Sequence, residues 1–249
     1  KTGLLRRGHY HTAPVPVIEH GGRIWRAYEL ATDPGGWPDQ FKAVMLSADA
    51  DANLLHADAW RQSNALSHDR PNDKGAGWLE GNAVVDPEGR MLIILRLARI
   101  GHTAAVVRVK ADGRKIAFHD APRYINLPGA SKKFTIRFDP RSRRYWSIVN
   151  HVPMFVRFMH IYPDYIRNTA TLVSSADLET WRIERRIAHH PDPYFHGYQY
   201  WDWVFDGRDI IAVSRTAHDD DFGGARDYHD ANYLTFHRIP GFGKHRTPR

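Results

Sequence analysis

The chain has 249 residues, 42% of them apolar, enough for one large domain or one repeat array around a buried core. Thirty-five Lys and Arg against 28 Asp and Glu leave a formal net charge of +7, so the surface favours acidic partners without naming their kind. Cysteine is absent, which excludes disulfides, thiolate metal sites and cysteine nucleophiles, and no apolar run approaches the ~20 residues of a membrane span.

Helical periodicity is hard to find. Short runs rich in Val, Ile, Tyr, Trp and Phe alternate with Gly, Asp and Pro turns, the pattern of strands and hairpins. Lys1-Thr2-Gly3 reads as a start inside a longer polypeptide, with no charged and apolar leader behind it. The first hairpin is expected from residues 14–18 through Gly21-Gly22 into 24–30, and the second from 83–86 through Pro87-Glu88-Gly89 into 91–97. A third runs from 134–138 through Asp139-Pro140-Arg141-Ser142 into 145–150, and a fourth from 200–205 through Asp206-Gly207 into 210–215.

The segment after each hairpin also recurs. Val44 to Asp49, Val106 to Asp112 and Thr171 to Asp177 are strands that each end in Ala-Asp, and Tyr233 to His237 occupies the same place after the fourth hairpin. An inner hairpin with outer strands, repeated about every 40–50 residues, is the unit of a β-propeller blade. The expectation is an all-β propeller with about four four-stranded antiparallel blades, forming one domain over residues 1–249. A β-sandwich is the alternative fold. Residues 33–40 and 64–77 read as long loops.

In an up-and-down blade, the start of the first strand, the end of the second and the start of the third share one end of the propeller. His11, Trp78, Glu80, Asn82, Lys133, His196 and Tyr200 precede or open first strands. Arg215 ends a second strand, while Arg167, His229 and Asp230 precede third strands. Arg167 and Arg215 offer planar forks for a carboxylate, and Lys133 adds charge. The alternative for each Arg is an ion pair that ties loops together.

Glu80 is the acid/base candidate, since it lies between Trp78 and Gly81 where burial tunes a carboxyl. A structural ion pair to Arg96 or Lys132 is its equal alternative. Tyr200 is the phenol candidate, with a core aromatic as the alternative; a Tyr nucleophile is a known exception to the two-carboxylate rule of glycosidases. His11, His196 and His229 suit general-base roles or a cation, but no H-E-x-x-H spacing occurs, so no metal is assigned. Asp219-Asp220-Asp221 with Gly223-Gly224 lacks the spacing of a Ca²⁺ loop and reads as solvated, leaving a structural Ca²⁺ as the only cofactor kept open.

The stretches from His11 to His20, Trp78 to Asn82, Arg167 to Thr169 and His229 to Asn232 resemble the sialidase-like (BNR-repeat) propeller proteins of bacteria and fungi. Ser175-Ala176-Asp177-Leu178-Glu179-Thr180-Trp181 resembles a shortened Asp box. The resemblance runs from about Leu4 to Ile239. It implies a propeller and a secreted or periplasmic carbohydrate-active enzyme. In sialidases an Arg triad holds the substrate carboxylate and a Tyr–Glu pair supplies the nucleophile. The resemblance therefore implies Arg167 and Arg215 for two of the three Arg, and Tyr200 with Glu80 for the pair. The Asp box with its Gly and an opening Arg-Ile-Pro motif are both missing. Similar proteins carry further blades before the part that matches Leu4, which implies the later blades of a larger propeller and association with those blades or with another copy.

Together these readings predict a glycoside hydrolase that cleaves at a uronate- or sialate-containing glycan. The alternatives are a lyase, with His11 or Tyr200 abstracting the C5 proton next to a uronate, and a non-catalytic glycan-binding propeller. Neither a nucleic acid nor a membrane is an expected partner, because the basic residues are scattered.

Overall fold

The computed structural model describes residues 3–32, 36–118, 124–153 and 161–243, so the 33–40 loop is described only from Gly36. Four antiparallel sheets follow one another along the chain as the blades of a four-bladed β-propeller. Blade 1 comprises β1 (His9–His11), β2 (Ile18–His20), β3 (Arg23–Ala31), β4 (Phe41–Asp49), β5 (Trp60–Gln62) and β6 (Leu66–Ser67). Blade 2 holds β7 (Trp78–Val85), β8 (Met91–Leu97), β9 (Thr103–Val109), β10 (Ile116–Ala117) and β11 (Tyr124–Asn126). Blade 3 orders β12 (Thr135–Asp139), β13 (Arg144–Asn150), β14 (Thr169–Ser175) and β15 (Trp181–His189). Blade 4 has three strands, β16 (Gly197–Asp206), β17 (Asp209–Ala217) and β18 (Tyr233–Ile239).

All four expected hairpins form, with one change in blade 1. Its inner strand is split into β1 and β2, both paired with β3, and residues 12–17 run between them without ladder bonds. Pro14 and Pro16 explain the break, since neither can donate to a ladder. The predicted strand over 14–18 therefore survives only from Ile18.

Packing alternates with the strand period. Trp25 and Ala27 of β3 join Ile93, Leu95 and Val107 of blade 2 in one apolar cluster. Ile94 and Val106 meet Ile136, Tyr145 and Val173 between blades 2 and 3. Trp146, Ile148 and Leu172 meet Trp201, Trp203 and Ala212 between blades 3 and 4. Among the described residues no such cluster joins blade 4 to blade 1. Correspondingly, Val204, Val213, Leu234 and Phe236 are exposed on one face of blade 4, which the strand register places together.

Because inner strands of neighbouring blades do not pair directly, buried polar side chains bridge them. Glu29 accepts from the Gly81 N–H at 2.9 Å, tying blade 1 to blade 2. Asn82 donates to the Phe134 carbonyl at 3.1 Å and accepts from the Ile136 N–H at 3.0 Å, tying blade 2 to blade 3. Thr135 and Lys133 both donate to the Trp201 carbonyl, tying blade 3 to blade 4. Thr135 also meets the Pro14 carbonyl at 3.2 Å, a link back to blade 1.

The shortened Asp box is a formed turn. Asp177 accepts from the N–H groups of Glu179 and Thr180, and the Trp181 indole donates to the Leu178 carbonyl at 2.8 Å. Burial works against the Asp177 charge, but the Thr180 and Glu179 N–H groups and the Ser175 hydroxyl outweigh it and hold the carboxyl below its ordinary range.

Candidate active site

Two inner strands carry the same irregularity at the same place. In blade 2 the register steps from Leu79↔Arg96 to Asn82↔Ile94, and in blade 4 from Gln199↔Arg215 to Asp202↔Val213. Each step sets two residues against one, a β-bulge, and in each the first extra residue lies in the left-handed region: Glu80 at φ 56° and Tyr200 at φ 54°. Non-glycine residues seldom adopt that conformation, and it clusters at functional sites. Its effect is to re-aim both side chains. Gly81 follows for lack of room, since a Cβ there would lie 2.6 Å from Ile93 Cγ2.

Glu80 and Tyr200 line one cavity of about 230 Å³, together with His11, Trp37, Leu79, Arg96, Asp164, Tyr165, Arg167, Tyr228 and His229. A larger space of about 460 Å³ lies at the hairpin-turn end, walled by Ile18, Val85, Pro87, Ile136, Phe138 and Tyr145. That one is mainly apolar, with Asp86 and Arg143 as its charged lining, so the convergent chemistry belongs to the smaller cavity.

The charges there are unevenly satisfied. Arg96 donates to Glu80 at 2.7 Å, and both are almost wholly buried. Burial works against the Arg96 charge, but Glu80 outweighs it and holds the guanidinium above its ordinary value. The structural ion pair weighed for Glu80 is thus present, on a carboxylate that also faces the cavity. Arg167 differs: it is 5% exposed, yet among the described residues its Nε and Nη1 have no hydrogen-bond partner. Burial first, then the neighbouring Arg96, pushes its pKa down. Its guanidinium lies 5.7 Å from the Tyr200 ring and 6.0 Å from the Tyr228 ring. Asn150 fixes the backbone beneath it by donating to the carbonyls of Arg167 and Tyr198.

Tyr200 is the centre of a cationic and imidazole surround. Its hydroxyl is 3.5 Å from His229 Nε2, and Arg215 lies 5.1 Å from its ring centroid. Burial, with Arg167 and Arg215 nearby, lowers the His229 pKa and favours a neutral imidazole that can accept a proton. His11 is biased the other way. Its bond to Glu29, 2.9 Å long, outweighs burial and raises its pKa. Asp164 accepts twice from the Arg99 N–H, and the short 3₁₀ turn Pro163–Tyr165 that carries it is held by Lys132 donating to the Pro163 carbonyl.

The cavity therefore gathers Glu80, Tyr200, His11, Arg167 and His229 of the sequence candidates. Arg215 stands beside it, exposed, donating to the His229 carbonyl at 3.0 Å. The remaining candidates lie elsewhere. Lys133 is buried against Thr135 and Trp201, and burial drives its pKa to about 7. Asn82 is an inter-blade tie, and Trp78 packs edge-on against Phe118 in the core. Asp230 pairs with Arg226 at the surface. His196 belongs to a separate histidine cluster at the rim.

Sequence reasoning did not select Asp164, Tyr165, Tyr228, Trp37 or Arg96 as site residues. Four of these five lie outside the strands, where no strand period signals orientation. Arg96 was visible at the end of a second strand, the position Arg215 holds in blade 4.

No family model and no curated protein matches the chain. Solved structures do match. The GH32 β-fructofuranosidase BmSUC1 of Bombyx mori superposes with a TM-score of 0.55 at 14% identity, over 87% of this chain and 45% of its own. The β-fructofuranosidase from Schwanniomyces occidentalis, complexed with fructosyl-erythritol, gives 0.56 at 13% identity, over 94% and 44%. The fold is shared with these two enzymes. The chain spans less than half the length of these two enzymes, and at such identities the likeness is one of fold alone. Neither is a sialidase, so the sialidase-specific part of the resemblance rests on the sequence motifs.

Proposed function

We propose that the chain is a carbohydrate-active propeller, a glycosidase that binds an anionic glycan through Arg167 and cleaves it with Tyr200 and Glu80. The observation that carries this reading is Arg167, a buried guanidinium facing the cavity with two unpartnered nitrogens. An isolated buried charge is costly, and an incoming carboxylate supplies the missing bidentate partner. Trp37, Tyr165 and Tyr228 add aromatic faces on which a sugar ring can lie. The fold shared with glycosidases favours the same substrate class.

In this mechanism the uronate or sialate carboxylate seats on Arg167, with Arg215 near the mouth. The Tyr200 oxygen attacks the anomeric carbon, its proton passing to a neighbouring base, while the glycosidic C–O bond breaks and the departing oxygen takes a proton from a cavity acid such as His11. Water then displaces Tyr200 from the anomeric carbon, and the phenol recovers its proton. Glu80 and His229 are the cavity groups that can move that proton, and Arg96 orients Glu80.

A second reading is elimination beside a uronate. The neutral His229 within reach of the Tyr200 hydroxyl favours it, because a base facing an Arg-neutralised carboxylate is what C5 proton abstraction needs. Products separate the two. Incubation with uronate-containing oligosaccharides is followed by ultraviolet absorbance and by reducing-end assay. Hydrolysis yields new reducing ends without absorbance; elimination yields an absorbing unsaturated uronate. Turnover of neutral glycans only, or of none, would contradict the proposed activity.

A further inference from the structure

Away from the cavity, three histidines converge where strands of blades 3 and 4 end or begin. His190 follows β15, His196 precedes β16 and His218 follows β17, and one nitrogen from each lies within 4.8 Å of the others. We infer that His190, His196 and His218, with Asp219, form a binding site for a zinc-class divalent cation that clamps blade 4 to the outer strand of blade 3.

The orientation of His196 is the strongest observation. The ring is buried, and its Nδ1 faces the Asp192 carboxylate at 3.1 Å. That contact makes Nδ1 the donor, so Nε2 is the nitrogen turned to face a metal ion. Among the described residues Nε2 is buried without a hydrogen-bond partner, and Asp219 Oδ2 lies 3.4 Å away. A carboxylate behind a histidine that presents its other nitrogen is the usual support of a metal ligand. In a tetrahedral zinc site, with bonds of about 2.0–2.1 Å, neighbouring ligand atoms are about 3.3 Å apart, close to the His196–Asp219 separation.

The other two histidines lie against the same ring. His218 stands edge-on to His196, with centroids 4.9 Å apart. His190 stacks on His196 at 3.4 Å and accepts a long 3.2 Å bond from the Asp192 N–H. Coordination turns the His190 ring out of that stack and gives up the long bond. Three imidazoles and one carboxylate make a closed four-coordinate set, which suits a structural ion. The 190-196-218 spacing follows no common zinc motif, which is why sequence inspection passes over it.

The site would act on the cavity through the backbone. His190 and Asn168 exchange two hydrogen bonds, and the Tyr198 N–H donates to the Arg167 carbonyl. An ion here therefore fixes the segments carrying Arg167 and Tyr200.

The test is titration of the EDTA-stripped chain with Zn²⁺, and separately with Co²⁺. Expected are one ion per chain, a Kd below about 1 μM, a raised melting temperature, and the visible absorption of a four-coordinate Co²⁺ site. His218→Ala and His196→Ala should each weaken binding at least about tenfold, and Asp192→Asn about 10- to 100-fold. His56→Ala, an exposed histidine elsewhere, should change nothing. Circular dichroism reports whether each variant folds; should both alanine variants unfold, Asp192→Asn and the Co²⁺ spectrum of the parent chain decide. Undiminished affinity in a folded His218→Ala or Asp192→Asn chain, or an octahedral Co²⁺ spectrum, would overturn the site. Neither outcome bears on whether Arg167 holds a carboxylate.

Discussion

Glu80 and Tyr200 occupy equivalent positions in blades 2 and 4, each the first residue of a two-for-one bulge and each in the left-handed region. Regular strands would alternate these side chains between blade faces, where they would pack as core or tie. The bulge instead turns both into the axial cavity. A left-handed non-glycine residue costs about 1–2 kcal/mol, an expense that the surrounding ladders carry. Tyr200→Phe should abolish turnover while moving the melting temperature little, since only a hydroxyl is lost. Tyr200→Gly should stay folded, the relieved backbone offsetting part of the lost packing, and should also be inactive. Activity retained by Tyr200→Phe would remove the phenol from the mechanism.

Arg167 makes an opposite prediction for stability and function. Two of its guanidinium nitrogens are buried with no hydrogen-bond partner among the described residues, so Arg167→Met should stabilise the unliganded chain, by about 1–4 kcal/mol as in other replacements of buried charge by apolar groups. The measurement is a denaturant midpoint for both chains at equal slope. A strongly destabilised Arg167→Met chain would show that this guanidinium is a structural tie.

Lys133 gives the pH dependence. Its pKa is about 7 in the folded chain, pushed down by burial, against about 10.4 when unfolded. Between those values the unfolded chain binds the extra proton, so this residue's contribution to stability rises with pH from about 7 to 10. His11 and Glu29, both with raised pKa, act in the opposite direction, losing stability as pH rises through their folded values. Lys133→Met isolates the lysine: the variant should exceed the parent in melting temperature at pH 6.5, with the gap closing by pH 10. A gap that is constant with pH would mean that Lys133 is not titrating in this range.

These residues also show what the sequence makes legible. The hairpins were readable because Gly-Gly, Pro-Glu-Gly, Asp-Pro and Asp-Gly turns punctuate runs of β-formers. That Glu80, Tyr200, His11, Arg167 and His229 would share one end of the propeller followed from strand direction alone. Which polar residues face the cavity did not follow. Asn82 and Lys133 sit within a few residues of Glu80 and Thr135 and carry the same polar signal, yet they bridge blades because unpaired inner strands leave backbone groups to satisfy. Only the bulge separates Glu80 from Asn82, and a bulge leaves no mark beyond the tightly packed Gly81. Tyr228 and Asp164 arrive from loops whose course depends on tertiary contacts such as the Lys132–Pro163 bond.

The two faces of blade 4 predict contrasting mutational costs. Trp201 is fully buried in the cluster with blade 3, and Trp201→Ala should cost about 3–5 kcal/mol. Leu234 is 74% exposed on the other face, and Leu234→Lys should stay within about 0.5 kcal/mol. Chemical denaturation of both variants checks the blade order; a large loss from Leu234→Lys would mean that this face is packed in solution.

The most direct test of the account is calorimetric titration of the parent chain, Arg167→Lys and Arg167→Met with a uronate-ended oligosaccharide and with its carboxyl-reduced analogue. A buried charge-assisted pair lost on one side costs about 2–5 kcal/mol, or roughly 30- to several-thousandfold in affinity. Arg167→Met should lose that much for the acidic ligand and almost nothing for the reduced one, with Arg167→Lys intermediate because its point charge cannot form the bidentate fork. Equal losses for both ligands, or none for either, would contradict the assignment of Arg167 as the carboxylate anchor.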